Sequence, residues 1–170
     1  MAIVDIADSN ASYGKAVAQQ ELQFCIQEAR KPIDPDLLLS ILIAEGGRNG
    51  AIVKNKNGSF DLGVGQINTI QYSEPWFTVR YPNWNDVAFD TCTGVEAAAD
   101  ILLRRMSELN IGQSVWEAVG HYNSKTGSIK IQYLQRVMQI YTNLSQNKGT
   151  DFKPSMTVTY QQKNFFTSGR

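Results

Sequence analysis

A mainly α fold in a single domain is what this sequence predicts, and three observations carry that expectation. Most apolar residues recur at helical spacing, in runs bounded by capping and breaking residues. Turn formers concentrate in one stretch, 49–68, where apolar and polar positions interleave irregularly. The length of 170 residues suits one domain, and a chain of that size buries roughly 70% of the surface its unfolded form exposes. Hydrophobic residues make up 42% and charged residues 19%, which argues against a disordered chain or a coiled coil. With 16 basic and 16 acidic residues the formal charge is zero, so no overall field attracts nucleic acid.

Residues 1–14 read as a flexible polar lead, with Asp5, Asp8, Ser9, Asn10 and Ser12. Over 15–30, Val17, Leu22, Cys25, Ile26 and Ala29 approximate one helical face, and Lys31-Pro32 stops it. Asp34 then stands as N-cap with Pro35 at the first helical position, and the helix runs through Glu45 until Gly46-Gly47 closes it. Apolar on nearly every side, this helix belongs in the core. Segment 49–68 interleaves Asn55, Asn57-Gly58, Gly63 and Gly65 with Val53, Phe60, Leu62, Val64 and Ile67, so it reads as a long loop or a short, irregular hairpin.

Residues 69–89 form an aromatic-rich connection with about one helical turn, its Trp76 and Trp84 assigned to the core. A helix over 93–109 carries Val95, Ala98, Ala99, Leu102, Leu103 and Met106. Ser114 and Glu117 make a capping box for a helix that ends near Tyr122-Asn123. The last helix, after Gly127, carries Ile131, Leu134, Val137, Met138, Tyr141 and Leu144. The domain so drawn spans 15–147. Residues 148–170 are a tail, partly extended or disordered, polar except for Met156-Thr157-Val158-Thr159-Tyr160 and Phe165-Phe166.

Three places offer chemistry. Glu45 ends the apolar run Leu-Leu-Leu-Ser-Ile-Leu-Ile-Ala, where burial and the negative end of a helix both disfavour a carboxylate. A raised pKa suits a general acid working near neutrality; the plainer role is an exposed helix-end carboxylate. Gly63-Val64-Gly65 lacks the third glycine of a dinucleotide loop, since Asn68 stands there, and no βαβ unit precedes it. What is left is a segment whose backbone can approach a ligand closely at Gly65, with Gln66 and Asn68 as neutral donors and acceptors for a hydroxyl- or acetamido-bearing molecule. A structural turn is the plainer role here too. His121-Tyr122-Asn123 holds the one histidine, which rules out a paired-histidine metal helix. Cys25 and Cys92 allow one bridge or two free thiols, and free thiols leave a Cys–His nucleophile as an alternative.

Together these pieces resemble the lytic transglycosylases that have a soluble-type, goose-lysozyme-like catalytic domain. The resemblance rests on Asp34-Pro35-Asp36-Leu37-Leu38 through Ile43-Ala44-Glu45, on the run from Asn57-Gly58-Ser59-Phe60-Asp61-Leu62 to Gly63-Val64-Gly65-Gln66-Ile67-Asn68, and on His121-Tyr122-Asn123. It covers about 25–141. The resemblance implies a lysozyme-like domain with a short hairpin or loop beside a substrate groove. Its substrate would be peptidoglycan glycan strands, with Glu45 catalytic and Gln66, Asn68, Tyr122, Asn123 and Gly65 at the sugar. It implies no cofactor, no metal and a monomer. Cys25 and Cys92 match a pair in the branch that serves secretion and conjugation machines. That match implies a disulfide, a periplasmic setting and partners in such an apparatus. Three departures stand out: Gly46 where a serine is usual, Gly65 where a methionine is usual, and His121 where an alanine is common.

The implied reaction cleaves the β-1,4 bond between N-acetylmuramic acid and N-acetylglucosamine with one carboxyl group. Two readings compete with it. A hydrolytic lysozyme of the same fold would use Asp61 as a second carboxyl, although an Asp bonding its own turn is the simpler account. A catalytically weak, glycan-binding scaffold is the other, given Gly46 and Gly65. No apolar run is long enough to span a bilayer, and the first residues show neither a basic leader nor a long apolar segment. A cytoplasmic chain, or a mature one with an added initiator methionine, fits that N-terminus.

Overall fold

The computed structural model describes residues 12–123 and 127–147. Among them are seven α-helices, one 3-10 turn and one three-stranded antiparallel sheet, which bears out the mainly α expectation with its short hairpin. Two compact units divide these elements. One holds the described residues through Arg30 together with Glu45–Ala98; the other holds Lys31–Ala44 and the described residues from Ala99 onward.

In the first unit, α1 (Gln19–Ala29) buries Leu22, Cys25 and Ile26 along one face, and Arg30 ends it in the left-handed region at φ 50°. It starts later than periodicity suggested, because the chain before it pairs elsewhere. Ser12 bridges Ile52 and Lys15 bridges Asn49, so 12–14 are not the loose end of a lead. Gly14, at φ +67°, permits this: a Cβ there would collide with the Asn49 carbonyl. Residues 1–11 of that lead lie outside the described residues.

The 49–68 segment folds into β1 (Ile52–Lys54), β2 (Phe60–Leu62) and β3 (Ile67–Asn68), in the order β1-β2-β3. Register pairs Ile52 with Leu62 and Leu62 with Ile67, three buried side chains that set the inner face. Asn57 and Gly58 turn the chain: Asn57 Oδ1 accepts from Ser59 N at 3.0 Å, and Gly58 takes φ +85°. The connection after the sheet is more helical than expected. It contains the 3-10 turn Thr69–Ser73, α3 (Pro75–Arg80) and α4 (Trp84–Phe89), the last capped by Asn83 Oδ1 on Asn85 N. Phe77, Tyr81 and Trp84 are buried, while Trp76 is half-buried. Tyr72 packs edge-on against Phe77, centroids 5.0 Å apart, and Phe60 lies 5.8 Å from Trp84.

Helix α5 (Thr91–Ser107) begins two residues before the expected position because Asp90 caps it, its Oδ1 accepting from Thr93 N at 2.7 Å. Cys92, in its first turn, is disulfide-bonded to Cys25 of α1. The bridge closes a separation of 67 residues. In the chain-entropy account a loop of that size contributes about 4 kcal/mol. It also removes the thiol that a Cys–His nucleophile needs.

The second unit holds α2 (Pro35–Glu45) up to Ala44, Glu45 belonging to the first, and the helix buries Leu37, Leu38, Leu39, Ser40, Ile41, Leu42 and Ala44. Asp34 caps it as expected, with Oδ1 accepting from Asp36 N at 2.9 Å. Ser40, the one polar residue inside, donates to the Asp36 carbonyl. Asp34 Oδ2 also accepts from the Tyr141 hydroxyl at 2.6 Å, tying α2 to α7 (Gly127–Asn147). Helix α6 (Val115–Asn123) is capped by Ser114, while Glu117 turns to Lys130 of α7, 2.6 Å away. Of the apolar residues expected in α7, Val137 is buried, but Ile131 and Met138 face solvent. The tail's expected strand, within 148–170, lies outside the described residues.

Candidate active site

Glu45 is the last residue of α2, and its side chain is half-buried with Oε1 shielded from solvent. Helix α2 ends there because Gly46 adopts φ +62°, the conformation that closes helices. Gly47 follows, half-buried, with no such φ; its glycine has another cause. A Cβ at 47 would sit 2.5 Å from the Gly63 carbonyl oxygen and closer still to that of Val64. The second residue after Glu45 therefore lies directly on the backbone of the glycine-rich segment, while Gly46 faces open space.

That segment crosses between β2 and β3. Gly63 takes φ +61°, and Gln66 takes φ 49°, a left-handed conformation uncommon for a residue with a side chain. Both the backbone N and the Nε2 of Gln66 donate to the Gly63 carbonyl, at 3.2 and 3.0 Å. The amide is thus folded back over its own loop. Gly65 is buried, and its missing Cβ faces Ile67, Ala98 and Gly94 at 2.9–3.4 Å. The absence of a methionine there opens no space toward a groove; it lets the loop lie on α5.

Asn68 is heavily engaged. Its Nδ2 donates to Ser59 Oγ at 3.1 Å and Asp61 Oδ1 at 2.9 Å, and its Oδ1 accepts from Ile70 N at 2.9 Å. One lone pair of Oδ1 is left for a ligand. Asp61 lies on β2 and not in a turn, and its partner is this cross-strand amide instead of its own backbone.

Tyr122 and Asn123 occupy the last turn of α6 in the other unit, Tyr122 half-buried and Asn123 exposed. Around them, Lys130 Nζ contacts Glu117 Oε2 at 2.6 Å and His121 Nε2 at 3.4 Å, and its stem crosses Gly120. The hydrogen bond from Lys130 holds the Glu117 carboxyl below its ordinary range, with the lysine charge reinforcing it. The site residues thus fall into two groups. Glu45, Gly65, Gln66 and Asn68 belong to one unit; Tyr122 and Asn123 belong to the other.

Tyr72, in the 3-10 turn after β3, is half-buried. Its hydroxyl is buried, and desolvation, with the nearby Asp86 charge second, pushes its pKa up to about 12. It sits 5.9 Å from Trp84 between ring centroids. Gly47 was read only as a helix terminator, because its steric constraint comes from Gly63 and Val64, sixteen and seventeen positions away in sequence, which local pattern does not reveal.

Comparison with known proteins gives the chain a family and two named relatives. The profile of the family described as "Transglycosylase SLT domain" matches residues 23–143. "Invasion protein IagB" of Salmonella typhi is 30% identical over 131 residues, covering 74% of this chain and 79% of that protein. "Invasion protein IagB" of Salmonella typhimurium strain SL1344 is 31% identical over 117 residues, covering 66% and 70%. No solved structure matches. Among the described residues no helix is long and apolar enough to cross a membrane. With the family profile extending from α1 into α7 and taking in every candidate residue, this chain belongs to the Transglycosylase SLT domain family, the soluble-type lytic transglycosylases.

Proposed function

We propose that the protein cleaves the β-1,4 bond between N-acetylmuramic acid and N-acetylglucosamine in peptidoglycan and leaves a 1,6-anhydro end. Glu45 in its neutral form protonates the leaving glycosidic oxygen, while the substrate's acetamido group stabilises the developing positive charge at the anomeric carbon. The Glu45 carboxylate then removes the proton of the 6-hydroxyl, whose oxygen bonds to the anomeric carbon. No water enters, so a second catalytic carboxyl is unnecessary. The observation that carries this reading is the setting of Glu45: a partly shielded carboxyl at the end of a buried apolar helix, joined to the backbone that presents Gln66.

The resemblance assigns Tyr122 to orient the acid, and Gln66, Asn123, Asn68 and the backbone at Gly65 to hold the sugar. The hydrogen bond between Asp61 and Asn68 supports a structural part for Asp61. Asp61→Asn is therefore expected to keep activity within about threefold of wild type, since an exposed or structural change leaves the reacting groups in place.

The relatives carry the name invasion protein. With the family resemblance, we propose a role in opening the wall locally for a secretion or conjugation apparatus, in the periplasm, the enzyme acting as a monomer. Product analysis tests the chemistry. Digestion of purified sacculi is expected to give anhydro-ended muropeptides; reducing ends would instead mark a hydrolytic lysozyme, and no release at all a scaffold.

A further inference from the structure

The side chains assigned to the sugar do not explain why the backbone after Glu45 makes close approaches at Gly47. Gly47 lies against the carbonyls of Gly63 and Val64. The same stretch of chain is also met from α5: a Cβ at Gly94 would sit 3.1 Å from Val64 Cγ2 and 3.1 Å from the Val87 carbonyl. One turn further along α5, Ala98 Cβ lies 3.1 Å from where a Cβ of Gly65 would be. The segment carrying Gln66 is therefore packed closely against both Gly47 and the Gly94/Ala98 face of α5. Cys92, two residues before Gly94, is bonded to Cys25 of α1, which fixes the first turn of that helix.

We infer that Gly47 and Gly94 are positioning residues: together with the Cys25–Cys92 bridge they clamp segment 63–66 so that Glu45 and Gln66 keep a fixed relation. The inference rests on the reading of Glu45 as the acid. Gly94→Ala is the informative variant. Its Cβ is tight without overlapping backbone, so neighbours shift by tenths of an ångström, and alanine's helix propensity offsets the crowding, so the fold survives. Gly47→Ala, by contrast, meets two carbonyl oxygens directly and is expected to perturb the fold as well.

The test follows two signals: turnover of purified glycan strands, and the carbon-13 resonance of the Glu45 carboxyl at fixed pH. Gly94→Ala is expected to move the Glu45 resonance and to lower kcat about tenfold with KM within twofold, since misplacement of reacting groups by about 1 Å costs on the order of 100-fold. Val64→Ala in the Gly94→Ala background removes the crowded Cγ2 but not the Val87 carbonyl, and is expected to restore part of both signals. Gly127→Ala, which faces open space, is expected to change neither. An unmoved Glu45 resonance in Gly94→Ala, or an equal loss of turnover in Gly127→Ala, would overturn the clamp. If the wild type yields no glycan product, the proposed reaction fails, yet the Glu45 resonance still decides the clamp.

Discussion

Gln66 holds a backbone conformation that glycine adopts freely and glutamine adopts at a cost of about 1 kcal/mol. A strained residue at a candidate site is a reason to expect a function for its side chain. Gln66→Gly is accordingly expected to leave thermal stability unchanged or raised by up to about 1 kcal/mol, while glycan turnover falls at least tenfold; calorimetry paired with a turnover assay checks both. Tyr141 makes a different kind of contribution. Burial and its hydrogen bond to Asp34 raise the phenol above its ordinary pKa of 10.0. The fold favours the neutral phenol, so this stabilisation is present below pH 10 and is lost as pH rises beyond it. Tyr141→Phe is expected to cost about 1.5 kcal/mol at neutral pH and to flatten the decline of stability above pH 10, measured by denaturant unfolding across that range. At this scale the sequence pointed to Glu45 through its apolar neighbours, but the engagement of Asn68 was hidden. Its partners Ser59 and Asp61 come together only when β2 and β3 pair.

Helix α2 shows how an element delivers a residue. Asp34 and Pro35 start it, an all-apolar run buries it, and Gly46 stops it one residue after the acid. Leu38 is 1% exposed, and its truncation to alanine is expected to destabilise the protein by about 2–5 kcal/mol by chemical denaturation. The elements read well from sequence were those with caps and long periodic runs. Helices α3 and α4 were read only as about one helical turn because six residues span fewer than two turns, too few for a period to register. Helix α7 was found, yet Ile131 and Met138 on it are exposed, since spacing identifies an apolar residue without saying whether a neighbour covers it. The pairing of Ser12 and Lys15 with the sheet region was also invisible, being a long-range contact of a polar segment.

For the molecule as a whole, the mainly α class followed from patterning, and the family followed from three short motifs that each carry little weight alone. Of the three boundaries between the two units, only 30/31 has a sequence marker, the Lys31-Pro32 stop; those at 44/45 and 98/99 fall inside α2 and α5, where no loop or composition change signals a division. Glu45 stands at one of those boundaries, at the head of the unit that also holds Gln66. The disulfide was implied by likeness to a family branch and is present, within a single unit. The central claim is that one carboxyl group acts as both acid and base. The most direct measurement is mass spectrometry of muropeptides released from purified sacculi by wild type and by Glu45→Gln at equal concentration. The account predicts anhydro-ended products from wild type and a loss of at least about 1000-fold in Glu45→Gln with glycan binding retained. Release of the same products at comparable rates by Glu45→Gln would contradict it.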